Sequence, residues 1–502
     1  MHFMAWVMGI DIGTTAVKAL LLDTETGQSV TATSDEYPLY SPNAGWAEAD
    51  PQHWEQGISE AIARLRQQDA KAVSQCRGIG VCGMVPALVP LDRSHRPLRR
   101  SIQQNDARTG RELAQIMADA DTEWLYQRTG TVLNQQHIAP KLLWLQRYEP
   151  HTWEQLHAIV GSYDYVRGLM TGNWAIEVNW AVESGLFDVH ARSWLTDFMN
   201  RWSIDSRWFG SVGNPWEPAG TLRPRMAEAW GMPSGIPVVY GSADHVASAL
   251  AAGVANPGDV LIKFGGAGDI LYCTATPQFH RRLYFDLHDL PGRYLLNGCM
   301  AASGSLVRWL LSRLKADDRS LPELDRRASA ISPGSDGIVV LPYFLGEKTP
   351  IFDADARGVI FGLMLHHTDG HLFRAVLESV IFGFRHHLDV LSNSGFPVER
   401  IFATNGGAKS ELWRQIAADV LQRPILAFPH HPGSAMGAAI VAAQGLGLLP
   451  QEPVVDRIDT PRIWHQPNPD NRSVYDRNYS VFRTLYERTH DLMHVMGRGE
   501  DS

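Results

Sequence analysis

The chain writes one short pattern twice: an apolar run, a glycine-centred turn, and a second apolar run. The first copy spans Val7–Asp23 with Gly13-Thr14-Thr15 at its tip. The second spans Val260–Cys273 with Gly265-Gly266-Ala267-Gly268 at its tip. Each reads as a β-hairpin, since apolar runs that stop at glycine and resume need a tight reversal. The two copies share almost no sequence identity, so the repeat is one of architecture. At 502 residues the chain is too long for a single hydrophobic core. Two α/β domains are therefore expected, with a boundary near residue 252: 1–252, 253–492, and a flexible tail at 493–502.

Other segments fill in this frame. Asp50-Pro51 reads as a helix start with Ile58, Ile62 and Leu65 on one face. Ile79–Leu91 reads as buried strand broken at Pro86, Lys141–Tyr148 as helix, and Pro237–Tyr240 as a short strand. Leu372–Leu388 carries apolar residues at helical spacing. Gly433–Leu449 is apolar but short and rich in Gly and Ala, which suits a buried helix and not a membrane span.

A net charge of −9 argues against nucleic acid as the main partner, because a phosphate backbone needs a basic surface. The four cysteines, Cys76, Cys82, Cys273 and Cys299, lack metal-ligand spacing and read as core thiols of a reduced cytoplasmic protein. The N-terminal apolar run has no basic region before it and is interrupted by Asp11, unlike a signal peptide.

Three places carry chemistry. Asp11 stands beside the first hairpin tip, where Thr14 and Thr15 offer hydroxyls and Lys18 a charge. Backbone N–H groups of such a turn attract phosphate, which a neighbouring carboxylate repels unless a cation lies between them. Asp11 thus implies Mg²⁺ held through water; an ordinary Asp-Gly hairpin turn would use the same residues. Asn405-Gly406-Gly407-Ala408-Lys409-Ser410 follows a short apolar run and opens a helix. It offers a flat surface for adenine at Gly406–Ala408, packed by the small helix Ser434–Ala443 that follows in sequence. Asp244 begins the helix Asp244–Ala252, where the macrodipole favours negative charge. A carboxylate there can accept a proton from a substrate hydroxyl; it can equally be a plain N-terminal helix residue.

Taken in order, these elements resemble the FGGY carbohydrate kinases, over about residues 8–447. Asp11–Thr15 resembles the family's first phosphate motif, and Gly45-Trp46-Ala47-Glu48 with Asp50-Pro51 and Trp54 its early signature. Asn105-Asp106-Ala107-Arg108 is similar to the substrate loop, and Pro140–Leu145 to the mid-domain helix. Leu341–Pro350 with Ala356-Arg357-Gly358 and Phe361-Gly362-Leu363 resembles the C-terminal signature. Gly406–Ser410 with Trp413 and Arg414 is similar to the adenosine motif.

The resemblance implies two ribonuclease-H-like domains of the actin-like ATPase fold with an interdomain cleft. It further implies ATP and Mg²⁺ as cofactors, Asp244 as catalytic base, Asp11 as the metal residue, and phosphate contacts at Gly265 and Gly266. The usual tip has Gly-Thr and a small hydroxyl residue; Gly265-Gly266-Ala267 loses one hydroxyl, which predicts weaker nucleotide affinity. The chain is most similar to the xylulokinases, which implies phosphorylation of a terminal hydroxyl of D-xylulose. Their Gln-Met-His is replaced by Met84-Val85-Pro86, and the aromatic residue before the Asn-Asp pair is Gln104. Sugar contacts are expected from Asp106, Arg108 and Asp244, with Met84 and Gln104 shaping the pocket. Because both departures fall where hydroxyls are read, another pentulose, a modified pentulose or a sugar alcohol fits the residues equally. The rival from another class is an actin-like ATPase serving as chaperone or regulatory switch. No nucleic-acid or membrane partner is expected, and a homodimer follows from family resemblance alone.

Overall fold

The computed structural model describes residues 5–428, 433–454 and 462–497. The chain divides into two compact units: Met1–Ala255 with Thr276–Leu295 and Pro432–Asp459, and Asn256–Ala275 with Leu296–His431 and Thr460–Ser502. The chain crosses between them repeatedly, where the sequence suggested a single cut near residue 252.

The first unit is built on β1 (Trp6–Ile12), β2 (Val17–Asp23), β3 (Ser29–Thr33), β4 (Cys76–Gly83), β5 (Pro218–Thr221), β6 (Pro237–Val239) and β7 (Ser242–Ala243). They lie in the order β5-β6-β4-β1-β2-β3, with β7 also pairing β4. The β1–β2 hairpin is antiparallel, and β1, β6 and β7 each run parallel to β4. The expected helix spans Pro51–Ser74: Asp50 caps it by accepting from the Gln52 N–H, and Ile58, Ile62 and Leu65 are buried.

The helix Ser434–Gly445 is buried almost throughout and packs on β1, β4 and the helix Asp244–Ala252. This corrects the expectation that it packs the adenine turn: its small residues serve the first unit's sheet. A Cβ at Gly9 of β1 would collide with the Ala435 carbonyl and come within 2.7 Å of the Ala439 nitrogen. Such close approach needs glycine.

The second unit repeats the plan with β8 (Asp259–Phe264), β9 (Gly268–Thr274), β10 (Tyr294–Met300), β11 (Arg400–Thr404), β12 (Ile425–Ala427) and β13 (Ile463–His465). Their order is β10-β9-β8-β11-β12-β13, the hairpin antiparallel and β11 and β12 parallel to its first strand. In both sheets a hairpin's first strand sits mid-sheet beside a later parallel strand, and an antiparallel strand closes one edge. The expected duplication is thus present as matched topology. The helix Asp369–Asn393 contains the stretch expected at Leu372–Leu388. The final helix, Arg472–Gly497, continues past Leu492, and Met493 is buried; the rest of the expected tail, 498–502, lies outside the described residues. Among the described residues no helix is long and apolar enough to cross a membrane.

Candidate active site

The carboxyl ends of β1, β4 and β7 bring the first group of side chains together. Cys82 of β4 is the register partner of both Asp11 on β1 and Ser242 on β7, and Asp244 follows β7 directly. Asp11 and Asp244 therefore belong to one unit, at one end of one sheet. Ligands of open α/β sheets gather at such strand ends. Cys82 Sγ lies 3.7 Å from Asp11 Oδ1. Burial, then the charges of Asp11, Asp244 and Asp289, hold its thiol well above the usual range. Ser434 Oγ donates to Asp11 Oδ2 at 2.6 Å. The hairpin tip is closed by Gly13 N–H to Ala16 O, and Tyr37 OH donates to Gly13 O. Thr15 is exposed, Lys18 half-buried, and Thr14 Oγ1 lies 2.9 Å from Met84 Sδ.

Asp244 opens its helix as expected, its side chain about one-third exposed (35%). Sequence reading missed what stands behind it. His245 Nδ1 lies 3.5 Å from Asp244 Oδ1, and its Nε2 lies 3.1 Å from Asp286 Oδ2 and 3.8 Å from Glu183 Oε1. Burial alone would discharge His245; Asp286, Asp244 and Glu183 outweigh it and hold the imidazole well above its ordinary value. Burial, then Asp286, raises Glu183.

Local sequence explains the convergence. Glu177 caps the short helix Val178–Glu183 by accepting from the Asn179 and Trp180 N–H groups. Asn179 then clamps Leu287 of the strand Tyr284–Leu287, accepting from its N–H at 2.8 Å and donating to its carbonyl at 3.0 Å. That clamp brings Glu183 and Asp286 together at His245 Nε2. Only distant segments meeting in space could reveal this, and sequence spacing carries no such signal.

The expected sugar-loop residues are also in the first unit. Met84 is buried, and its carbonyl accepts from Ser162 Oγ. Gln104 has a buried Oε1 with no hydrogen-bond partner among the described residues. Asp106 accepts from the Ala47 N–H at 2.6 Å and from Arg108 Nε and Nη2 at 2.8 and 2.7 Å. The Arg108 guanidinium lies 3.6 Å from the Trp46 ring and 4.7 Å from that of Trp144, and also reaches Glu48. Most of this pair's capacity thus goes to the loop itself. Lys141, which in sequence showed only as part of a helix, donates to the carbonyls of Pro86 and Gln103, both at 2.9 Å. It joins the two loops on which the sugar contacts were expected. Burial lowers its pKa to about 7, against the opposing pull of Asp106 and Glu183.

The remaining site residues line a cavity of about 620 Å³ in the second unit, within the range of small-molecule pockets. Gly265, Gly266, Gly406, Gly407 and Ser410 are on its wall; Ala408 is fully buried and its carbonyl accepts from Arg414. The stacked rings of Phe264 and Trp413, 5.0 Å apart, pack beneath Gly407. Arg308 and Lys409 supply positive charge to the lining. The Gly266 carbonyl is engaged by the N–H groups of Ser303 and Ser305 and by Ser305 Oγ, so a hydroxyl does stand at the tip despite Ala267. Arg308 and Ser305 were not anticipated from sequence.

A duplicated ribonuclease-H-like plan, with acidic strand ends in one unit and a glycine-walled cavity in the other, defines a class of phosphotransferase. The chain matches the N-terminal domain of the FGGY family of carbohydrate kinases over residues 6–251 and its C-terminal domain over residues 271–446. It belongs to that family. It is thus an enzyme that transfers phosphate to a sugar on the actin-like ATPase fold, and sugar kinases of this family use ATP as donor.

A xylulose kinase of Lactococcus lactis subsp. lactis strain IL1403 is 29% identical over 497 residues, 98% of this chain and 99% of the relative. A xylulose kinase of Escherichia coli K12 is 30% identical over 501 residues, 97% and 99% of the two chains. The crystal structure of xylulose kinase from Rhodospirillum rubrum is similar with a TM-score of 0.89 and 41% identity, covering 97% of this chain and 100% of that one.

Proposed function

We propose that this kinase converts D-xylulose and ATP to D-xylulose 5-phosphate and ADP. The observation that carries the reading is the solvent-facing Asp244 carboxylate, braced by His245 and its acidic partners. The full-length relatives named xylulose kinase support the sugar. Asp244 takes the proton as the terminal hydroxyl oxygen attacks the γ-phosphorus; the bond to the β-phosphate oxygen breaks and ADP leaves. A base of this kind contributes roughly 10²–10⁴ in rate, and the rest is positioning and neutralisation of charge.

Gly265, Gly266, Gly406, Gly407, Ser410 and Lys409 would hold the nucleotide, with Arg308 on its phosphates. Asp11 would hold Mg²⁺. Its hard oxygen donors suit a cation that keeps much of its water. Mg²⁺ would neutralise phosphate charge as the bond breaks. Thr14, Thr15 and Lys18 flank Asp11 on the hairpin. Asp106 and Arg108 would shape the substrate loop, leaving Gln104 Oε1 to meet a hydroxyl. The four free cysteines suit a reduced, cytoplasmic setting.

A second reading, a different pentulose or a sugar alcohol, is favoured by Met84, whose buried thioether replaces a hydrogen-bonding side chain. ADP release with a panel of ketoses, aldoses and polyols tests both. D-Xylulose is expected to give the highest kcat/KM; stimulation by another sugar at its expense would reassign the substrate, and stimulation by peptide alone would contradict the kinase reading.

A further inference from the structure

A small cavity in the first unit, about 40 Å³ in volume, is walled by Val85, Pro86, Asn134, His137, Glu183 and Tyr284 among others. One water needs about 10–15 Å³ on this measure. The space therefore suits a group of two or three heavy atoms and excludes a whole sugar.

Two polar atoms of its lining residues, Glu183 Oε1 and Asn134 Nδ2, are buried without a hydrogen-bond partner among the described residues. Buried polar atoms are costly to leave unpaired. Asn134 Oδ1 accepts from the Gln136 N–H at 2.8 Å, which fixes the amide with its nitrogen as the remaining donor. An acceptor and a donor on one small space complement a hydroxyl, which both donates and accepts. Val85 and Pro86 supply apolar wall for the carbon that carries it.

Glu183 also links this space to the proposed base. Its Oε1 is 3.8 Å from His245 Nε2, whose Nδ1 is 3.5 Å from Asp244 Oδ1. The cavity is thus one imidazole removed from the carboxylate that meets the reacting hydroxyl.

We propose that this cavity is a subsite for the hydroxymethyl end of the ketose, the C1 end of a pentulose phosphorylated at C5, with Glu183 accepting from and Asn134 donating to the O1 hydroxyl. The assignment rests on reading Asp244 as the base of a pentulose kinase. Because burial and Asp286 favour the protonated Glu183 carboxyl, a glutamine amide should serve in its place.

The test compares kcat/KM for D-xylulose and 1-deoxy-D-xylulose in wild type, Glu183→Gln, Glu183→Ala and Asn134→Ala. Wild type should prefer the O1-bearing sugar by roughly 10- to 100-fold, the value of one or two buried hydrogen bonds. Glu183→Gln should retain most of that preference. Asn134→Ala should reduce it to within about threefold, with activity on xylulose falling by more than activity on the deoxy sugar. Glu183→Ala should lower turnover of both sugars, because Glu183 also braces His245, and should narrow the preference as well. Equal use of both sugars by wild type, or equal loss on both in Asn134→Ala, would overturn the subsite while leaving the kinase reading intact. Absence of turnover with every sugar would contradict that reading itself, and the subsite with it.

Discussion

Ser434 Oγ donates a 2.6 Å hydrogen bond to Asp11 Oδ2 across 423 residues of sequence. The hydroxyl fixes one carboxylate oxygen of the proposed metal residue, and Gly9 lets the serine's helix lie close enough on β1 to deliver it. A hydrogen bond to a charged group is worth about 1.5–3 kcal/mol. Ser434→Ala should therefore raise the Mg²⁺ concentration for half-maximal activity roughly tenfold, with a smaller effect on sugar KM. A Mg²⁺ titration of sugar-dependent ADP release reads this directly; an unchanged midpoint would separate Asp11 from the metal.

Gly407 sits over the stacked rings of Phe264 and Trp413. A Cβ there would collide with Trp413 and stand 2.6 Å from Phe264 Cβ. Gly407→Ala should displace a ring at a cost of about 1–3 kcal/mol and weaken ATP binding. Nucleotide titration and thermal melting check the two parts. Intact affinity in a destabilised variant would remove this wall from the nucleotide site.

Lys141 donates to two buried carbonyls, of Pro86 and Gln103. Lys141→Met keeps the aliphatic stem but leaves both acceptors unpaired, costing about 1–3 kcal/mol for each. Stability should fall, and sugar KM should rise by more than kcat falls, because the two joined loops carry the proposed contacts. Denaturant unfolding and steady-state kinetics measure both, and wild-type KM would contradict the link between Lys141 and the sugar loops.

Burial lifts the pKa of Glu177 to about 8, against hydrogen bonds that favour its ionised form. A raised carboxyl keeps its proton in the folded state while the unfolded chain has released it. Its contribution is thus fully present below about pH 4.5 and is lost as pH rises through 8. Within that window stability falls by about 1.4 kcal/mol for each tenfold drop in proton concentration. Glu177→Gln, unable to ionise, should gain stability relative to wild type steadily between pH 5 and 8. Denaturation midpoints across that range check the sign; parallel curves would show that Glu177 titrates normally.

The sequence was most readable where one local signal sufficed. Asp50-Pro51 announced its helix, the two glycine-tipped hairpins announced the duplication, and Asp244 stood at a helix start. The convergence on His245 was not readable, because Glu183 and Asp286 reach it through an Asn179–Leu287 clamp between segments 108 residues apart. Ser434 was misplaced for a related reason. Sequence order set its helix beside the adenine turn, whereas the complementarity of its small residues to Gly9 places it on the first unit's sheet. Asp106 and Arg108 were legible as a motif, but their mutual pairing within the loop needed coordinates to see.

If Asp244 accepts the proton of the sugar hydroxyl, Asp244→Asn removes the acceptor and changes little else in the side chain's shape. D-Xylulose-dependent ADP release should then fall by at least about 10²-fold, while ATP affinity, measured by titration, stays within a few-fold of wild type. Turnover near the wild-type rate in the folded variant would contradict Asp244 as the base.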